Sequence, residues 1–72
     1  MTVAPTMTPV TSSNLAEVGH DGAALWVRFR GGRLYRYPGC GAEHHDALIA
    51  AQSPGNYFLD RIRHFHKAER IE

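Results

Sequence analysis

The clearest structural signal in the chain is the alternation of side chains over residues 24–30. The apolar positions on one side are Leu25, Val27 and Phe29, and the positions between them are Trp26, Arg28 and Arg30. This period-two pattern predicts a β-strand. Gly31-Gly32 follows and predicts a two-residue turn, because glycine adopts positive φ without steric penalty. A second strand through Tyr37 would then complete a hairpin.

A two-residue turn fixes the register of this predicted hairpin. It pairs Arg30 with Arg33, Arg28 with Tyr35, and Trp26 with Tyr37. The register therefore predicts one face that is aromatic and basic, and an opposite face that is apolar. The aromatic and basic face would carry Trp26, Tyr35 and Tyr37 among Arg28, Arg30 and Arg33. The apolar face would carry Leu25, Val27, Phe29 and Leu34.

The segments on either side complete the predicted fold. Residues 14–20 form a weaker strand pattern, and Asp21-Gly22 supplies the turn into the next strand. Residues 42–52 favour a helix, and Ser53-Pro54 is typical of the start of a second one. The apolar stripe of that second helix would be Phe58, Ile62 and Phe65. The sequence thus predicts an α+β fold, a small antiparallel three-stranded β-meander followed by two α-helices packed on one face.

The chain ends show no periodic pattern. Residues 1–11 contain Pro5 and Pro9 among threonines, which predicts a flexible N-terminal arm. We therefore expect one domain over residues 12–66 and a C-terminal tail over residues 67–72.

The composition indicates the general class of protein but says little about its activity. With 72 residues, 43% hydrophobic and 21% charged, the chain has room for one small core and no deep substrate cleft. A single cysteine, Cys40, with no signal peptide or apolar span in the sequence, predicts a cytoplasmic protein without membrane contact. The net charge of +1 is small, but four arginines and no acidic residue lie between Ala24 and Tyr37.

Several short motifs together resemble the KTSC domain, a module found at the C-terminus of some lysyl-tRNA synthetases and as a stand-alone bacterial protein. The matching pieces are Ser12-Ser13-Asn14-Leu15, the strand Leu25–Phe29, the central Tyr35-Arg36-Tyr37, and the stretch Ala51–Phe58 followed by Ile62-Arg63. The resemblance spans residues 12–65 and implies a function that is unknown, with RNA binding suggested by the link to a tRNA-handling enzyme. The sequence departs from the family pattern at His20, at Cys40-Gly41 and at His44-His45.

Two kinds of binding module fit these features. In the first, RNA bases stack on the aromatic residues of the predicted face while guanidinium groups contact phosphates. The residues of this hypothesis are Trp26, Arg28, Arg30, Arg33, Tyr35, Arg36 and Tyr37. In the second, the aromatic face or a sheet edge mediates protein–protein interaction or homo-oligomerisation. The helices could instead cover this same face and make the tyrosines part of the core.

A weaker hypothesis is an anion site at the start of the second helix. Ser53, Gly55 and Asn56 would present free N–H groups to a phosphate. The alternative is an ordinary helix cap, which every helix needs.

No catalytic residues, cofactor, metal or small-molecule substrate are predicted, so we expect a protein that is not an enzyme. Cys40 has no identifiable partner that would activate it. The chain has five histidines, but His44-His45 and His64-x-His66 lack the spacing of paired ligands on one helix face.

Overall fold

An antiparallel sheet forms the frame of the structure, a computed structural model that describes residues 4–72. Its five strands lie side by side in chain order. They are β1 (Thr8–Pro9), β2 (Leu15–His20), β3 (Ala24–Phe29), β4 (Leu34–Pro38) and β5 (Glu69–Arg70). The predicted α+β class with an antiparallel sheet is confirmed, but the sheet has five strands rather than three.

The two additional strands lie at the sheet edges. Thr8 of β1 pairs with Val18, and Glu69 of β5 pairs with Arg36. Each edge strand has only two residues, too few to show alternation, and proline is tolerated there because an edge strand leaves N–H groups unpaired. Residues 1–3 of the predicted arm lie outside the described residues. The domain limits at residues 12 and 66 stay a prediction, but the sheet extends beyond both.

The turn between β3 and β4 is one residue longer than predicted. The N–H of Gly32 donates to the carbonyl of Phe29, and the N–H of Phe29 donates to the carbonyl of Arg33, both at 2.9 Å. Gly32 has a φ of +95°, as expected for a three-residue loop that ends in a left-handed glycine. Val27 therefore pairs with Tyr35, whereas the shorter turn paired Arg28 with Tyr35.

This shift moves the β4 side chains to the opposite face from the one predicted. Tyr35 lies across from Val27, and Tyr37 lies across from Leu25, so both tyrosines share the face of the apolar strand residues. We call this the helix-side face. The other face, the Trp26 face, carries Trp26, Arg28, Leu34 and Arg36. The predicted face that combined tryptophan, tyrosines and arginines does not form.

A β-bulge explains the weak alternation in β2. Leu15 pairs with Phe29 and Glu17 pairs with Arg28, so the register shifts at Ala16. The extra residue allows Leu15 and Val18 to be buried on the same face although they are three positions apart.

Both predicted helices are present and pack on the helix-side face. They are α1 (Ala42–Ala50) and α2 (Pro54–Phe58), and α2 continues directly into a π-helical turn (Leu59–Arg63). Leu48, Phe58 and Ile62 join the buried strand residues in one core. Within residues 4–72, no helix has the length and apolar character needed to cross a lipid bilayer.

The predicted apolar stripe of the second helix is wrong at its last member. Phe65 is 71% exposed, whereas Phe58 and Ile62 are buried. The helical segment ends at Arg63, and the N–H groups of Phe65 and His66 both donate to the carbonyl of Ile62. The chain therefore leaves the helix before Phe65 can repeat the stripe.

Candidate nucleic-acid interface

An open groove of about 560 Å³ lies on the helix side of the sheet, where the start of β2 and the β3–β4 loop face α2. We call it the arginine groove. Its polar and aromatic lining includes Asn14, Phe29, Arg30, Arg33, Tyr35 and Arg63. Among the described residues, no aspartate or glutamate lines it. The groove therefore combines positive charge with aromatic surface.

The three arginines of this groove are exposed and free of ion pairs with the described residues. Arg30, Arg33 and Arg63 form no salt bridge to any described residue. The Nε of Arg30 donates to the carbonyl of Ser12, which holds that side chain at the start of β2. The remaining guanidinium donors can reach an anion from solvent.

Arg28 lies on the Trp26 face and is engaged with acidic residues, which corrects its predicted role. Its Nε contacts Glu17 at 3.1 Å, and its Nη1 contacts Glu72 at 3.1 Å. The hydrogen bond that Arg28 donates to Glu72 raises the pKa of the Arg28 guanidinium. This arginine links β2 to the C-terminal segment rather than presenting a free charge.

Arg36 on the same face has an equivalent structural role. Its Nε contacts Asp21 at 3.2 Å, and its Nη1 contacts Glu69 at 2.8 Å. The hydrogen bond to Glu69 raises the pKa of the Arg36 guanidinium, with a further contribution from Asp21. Because two carboxylates compensate its charge, Arg36 does not offer the free positive charge that the predicted RNA-binding role requires.

Trp26 is buried and cannot offer its ring to a base. The side chain is 1% exposed, and the indole Nε1 donates to Oδ2 of Asp21. Gly19 lies directly across from Trp26, and a Cβ on Gly19 would lie 2.7 Å from Sδ of Met7. The N-terminal segment therefore passes over the Trp26 face, and the buried ring lacks the exposed surface that the predicted stacking role requires.

The two tyrosines separate into a core residue and a groove residue. Tyr37 is 5% exposed and its ring contacts Phe58 edge to face at 5.5 Å, which leaves little ring surface for a base. Burial raises the pKa of Tyr37. Tyr35 is only half-buried, and its ring meets Phe29 at 5.5 Å beside the groove. Both tyrosines line the groove, but Tyr35 exposes more of its side chain there than Tyr37 does.

Part of the predicted anion site meets the same groove. Gly55 lines it, and a Cβ on Gly55 would lie 3.1 Å from Oγ of Ser12. Ser53 and Asn56 are exposed, and the hydroxyl of Ser53 forms no cap to α2. Anion binding by these residues stays a prediction, but the expected serine cap is not formed.

The sequence did not predict Asn14, Phe29 or Arg63 as residues of a binding site. Asn14 precedes β2, Phe29 ends β3 and Arg63 ends the π-helical turn, so the three residues are far apart in sequence. Asn14 is held in place because the hydroxyl of Ser12 accepts its backbone N–H at 3.1 Å. Phe29 was assigned to the core by alternation alone. The position of Arg63 depends on how the helical segment docks, and no local pattern reports that.

Cys40 has the character of a structural thiol. Its side chain is completely buried, and burial raises its pKa to about 11, with Glu43 adding to the shift. A thiol in this state is a poor nucleophile because little of it is ionised at neutral pH.

Comparisons with known proteins place the chain among its relatives. Residues 11–65 match the KTSC domain, so the resemblance seen in the sequence is confirmed. The crystal structure of a KTSC domain protein from Yersinia pestis is similar, with a TM-score of 0.86 and 28% identity. That match covers 96% of this chain and 100% of the Yersinia chain. No curated protein matches at a significant level.

Proposed function

The chain belongs to the KTSC domain family, and on that premise we propose that it is a small non-enzymatic module that binds single-stranded RNA in the arginine groove. The observation that carries this proposal is the set of arginines without ion-pair partners that surrounds the half-buried ring of Tyr35. Phosphates need the charge, and unstacked bases need an aromatic surface.

The residues of the groove divide into two roles. Arg30, Arg33 and Arg63 contact phosphate oxygens, since guanidinium groups present several donors in a planar fork. Tyr35 and Phe29 offer ring surface to a base, and any base can stack there because each has a π-face. Binding of this kind selects single strands over duplexes, because a paired base cannot leave its stack without cost.

The charge distribution supports binding on one side of the sheet only. On the Trp26 face, Arg28 and Arg36 each contact two carboxylates, so that face has little free positive charge. On the helix side, the groove arginines form no salt bridge with any residue in the range 4–72. The protein therefore has a locally basic site although its net charge is only +1.

The compartment that we propose is the cytoplasm, since RNA is found there and the lone cysteine does not require an oxidising environment.

The test is fluorescence anisotropy of a labelled ten-nucleotide RNA titrated with the protein at several salt concentrations. We expect saturable binding, with a slope of log K against log [salt] of roughly −2 for three phosphate contacts. Arg33→Gln should weaken binding several-fold and reduce the slope by roughly 0.7. Arg61→Gln is the matched control, because Arg61 is exposed on the π-helical turn but does not line the groove.

Two outcomes would count against the proposal. The first is an absence of binding at low salt by a protein whose fold is verified by circular dichroism. The second is an equal loss in both variants, which would indicate attraction to overall charge rather than to the groove.

A protein-interaction module is the second candidate, and one observation favours it. Phe65 exposes 71% of its surface at the end of the helical segment, an unusual position for a large aromatic side chain. If this ring binds another copy of the chain, sedimentation should show a concentration-dependent dimer that Phe65→Ser abolishes. A monomer at all concentrations would exclude self-association.

A further inference from the structure

The fold brings together one cysteine and two histidines that are separated in sequence. Cys40 lies in the loop after β4, His44 lies in the first turn of α1, and His66 follows the π-helical turn. The potential ligand atoms of the three side chains all lie within 4.8 Å of one another. The rings of His44 and His66 meet at a centroid distance of 5.9 Å.

We propose that Cys40, His44 and His66 bind a zinc ion, with the fourth position open to a ligand from solvent. A thiolate and two imidazoles form a donor set that Zn²⁺ prefers over Mg²⁺ or Ca²⁺. Around tetrahedral zinc, neighbouring ligand atoms lie about 3.5 Å apart, as follows from bonds of about 2.0–2.3 Å. Small side-chain rotations, chiefly of the half-buried His66, would close the difference.

Neighbouring groups hold two of the three ligands in place. The hydroxyl of Tyr57 lies 3.0 Å from Nδ1 of His44, which leaves Nε2 of that ring for the metal. The orientation of a histidine ligand is commonly fixed through its second nitrogen in this way.

The Cys40 ligand is positioned through its backbone. Nε2 of His20 lies 2.7 Å from the carbonyl oxygen of Cys40, and Nδ1 of His20 accepts the N–H of Gly22 at 3.0 Å. Because Nδ1 accepts, Nε2 of His20 is the donor of the hydrogen bond to the Cys40 carbonyl oxygen. This hydrogen bond anchors the loop that carries the Cys40 thiol.

The local spacing rules miss this site because its three residues lie on separate elements. Along one helix, ligands need to be three or four positions apart, and His64 and His66 do not satisfy that rule. The helix ends at Arg63, so its periodicity no longer governs where His66 lies. The ligand set comes from tertiary packing.

Cobalt(II) titration of the untagged 72-residue chain under reducing conditions tests the proposal directly. Cobalt bound by a thiolate in tetrahedral geometry gives a charge-transfer band in the near ultraviolet and intense visible bands. We expect both, with 1:1 stoichiometry and displacement by zinc. His66→Gln should weaken binding more than about tenfold, and Tyr57→Phe should weaken it by about tenfold through the His44 ring.

The controls separate this site from general binding by histidines. His64→Gln should retain the full cobalt spectrum, since His64 is exposed and lies outside the cluster. Cys40→Ser should lose the charge-transfer band, and circular dichroism checks that this core substitution still folds. A spectrum without a thiolate band, a similar loss in the His64 and His66 variants, or no cobalt binding by the folded protein would overturn the proposal.

Discussion

The indole Nε1 of Trp26 donates a 2.8 Å hydrogen bond to Oδ2 of Asp21, across the turn that joins β2 to β3. The other oxygen of the same carboxylate accepts the backbone N–H groups of Ala23 and Ala24, both at 2.7 Å. Arg36 on β4 adds an ion pair at 3.2 Å. One carboxylate thus connects the turn, the buried ring and the neighbouring strand.

Asp21→Asn should lower the free energy of unfolding by about 1–3 kcal/mol. Replacing Oδ2 by an amide nitrogen leaves the buried indole N–H without an acceptor, which costs about that much. Chemical denaturation with urea measures the change. Asp46→Asn is the control, because the Asp46 side chain is 82% exposed and should change stability by less than about 0.5 kcal/mol. Equal effects in the two variants would contradict the role assigned to Asp21.

Acid should destabilise the protein through the same carboxylate. The hydrogen bond from Trp26, followed by those from Ala23 and Ala24, holds the pKa of Asp21 well below its usual value. A depressed folded-state pKa gives stability that is present above the unfolded-state pKa of about 4 and is lost as pH falls through the folded-state pKa.

The melting temperature, measured by circular dichroism, should therefore fall more steeply in the natural protein than in Asp21→Asn as the pH is lowered from about 4 to about 2. The loss begins near pH 4 because that is roughly the pKa of an aspartate in the unfolded chain. Parallel curves for the two proteins would show that Asp21 does not contribute to the acid response.

The β3–β4 turn should require glycine at position 32 but not at position 31. Gly32 has a φ of +95°, and an alanine there would adopt a strained conformation that costs about 1–2 kcal/mol. Gly31 does not have a positive φ, and a Cβ there would meet no atom within 4 Å. Urea denaturation should show a loss for Gly32→Ala and little change or a small gain for Gly31→Ala. The reverse order would contradict the three-residue loop.

This turn also marks where sequence reasoning succeeded and where it failed. Alternation over residues 24–30 correctly gave the strand and its apolar side, because those side chains pack against the helices. The pair Gly31-Gly32 fits both a two-residue and a three-residue loop, and composition does not distinguish them. The resulting error of one residue moved Tyr35 and Tyr37 to the wrong face.

The remaining errors concern contacts between distant segments. The two-residue strands β1 and β5 depend on pairing with β2 and β4, and they have no periodic pattern of their own. Four arginines in one stretch were predicted as one basic site. Arg28 and Arg36 form ion pairs with residues outside that stretch, whereas Arg30 and Arg33 form none within the described part of the chain. A local window contains the arginines but not all of their partners.

The N-terminal segment should control solvent access to Trp26. A Cβ on Gly19 would lie 2.7 Å from Sδ of Met7 and 2.8 Å from the carbonyl oxygen of Thr6, closer than packed atoms tolerate. Gly19→Ala should therefore displace this segment from the Trp26 face. We expect tryptophan emission to shift to the red and acrylamide quenching to increase, and removal of residues 1–7 should have the same effect.

Gly31→Ala is the control for that experiment, because a Cβ on Gly31 would meet no atom within 4 Å. Unchanged quenching in both Gly19→Ala and the truncated chain would show that another part of the protein covers the indole.

The burial of Trp26 also predicts that RNA bound in the arginine groove leaves tryptophan emission unchanged, since the groove and the ring lie on opposite faces of the sheet. Strong quenching of Trp26 by RNA in the natural protein would place the ligand on the other face and contradict the groove.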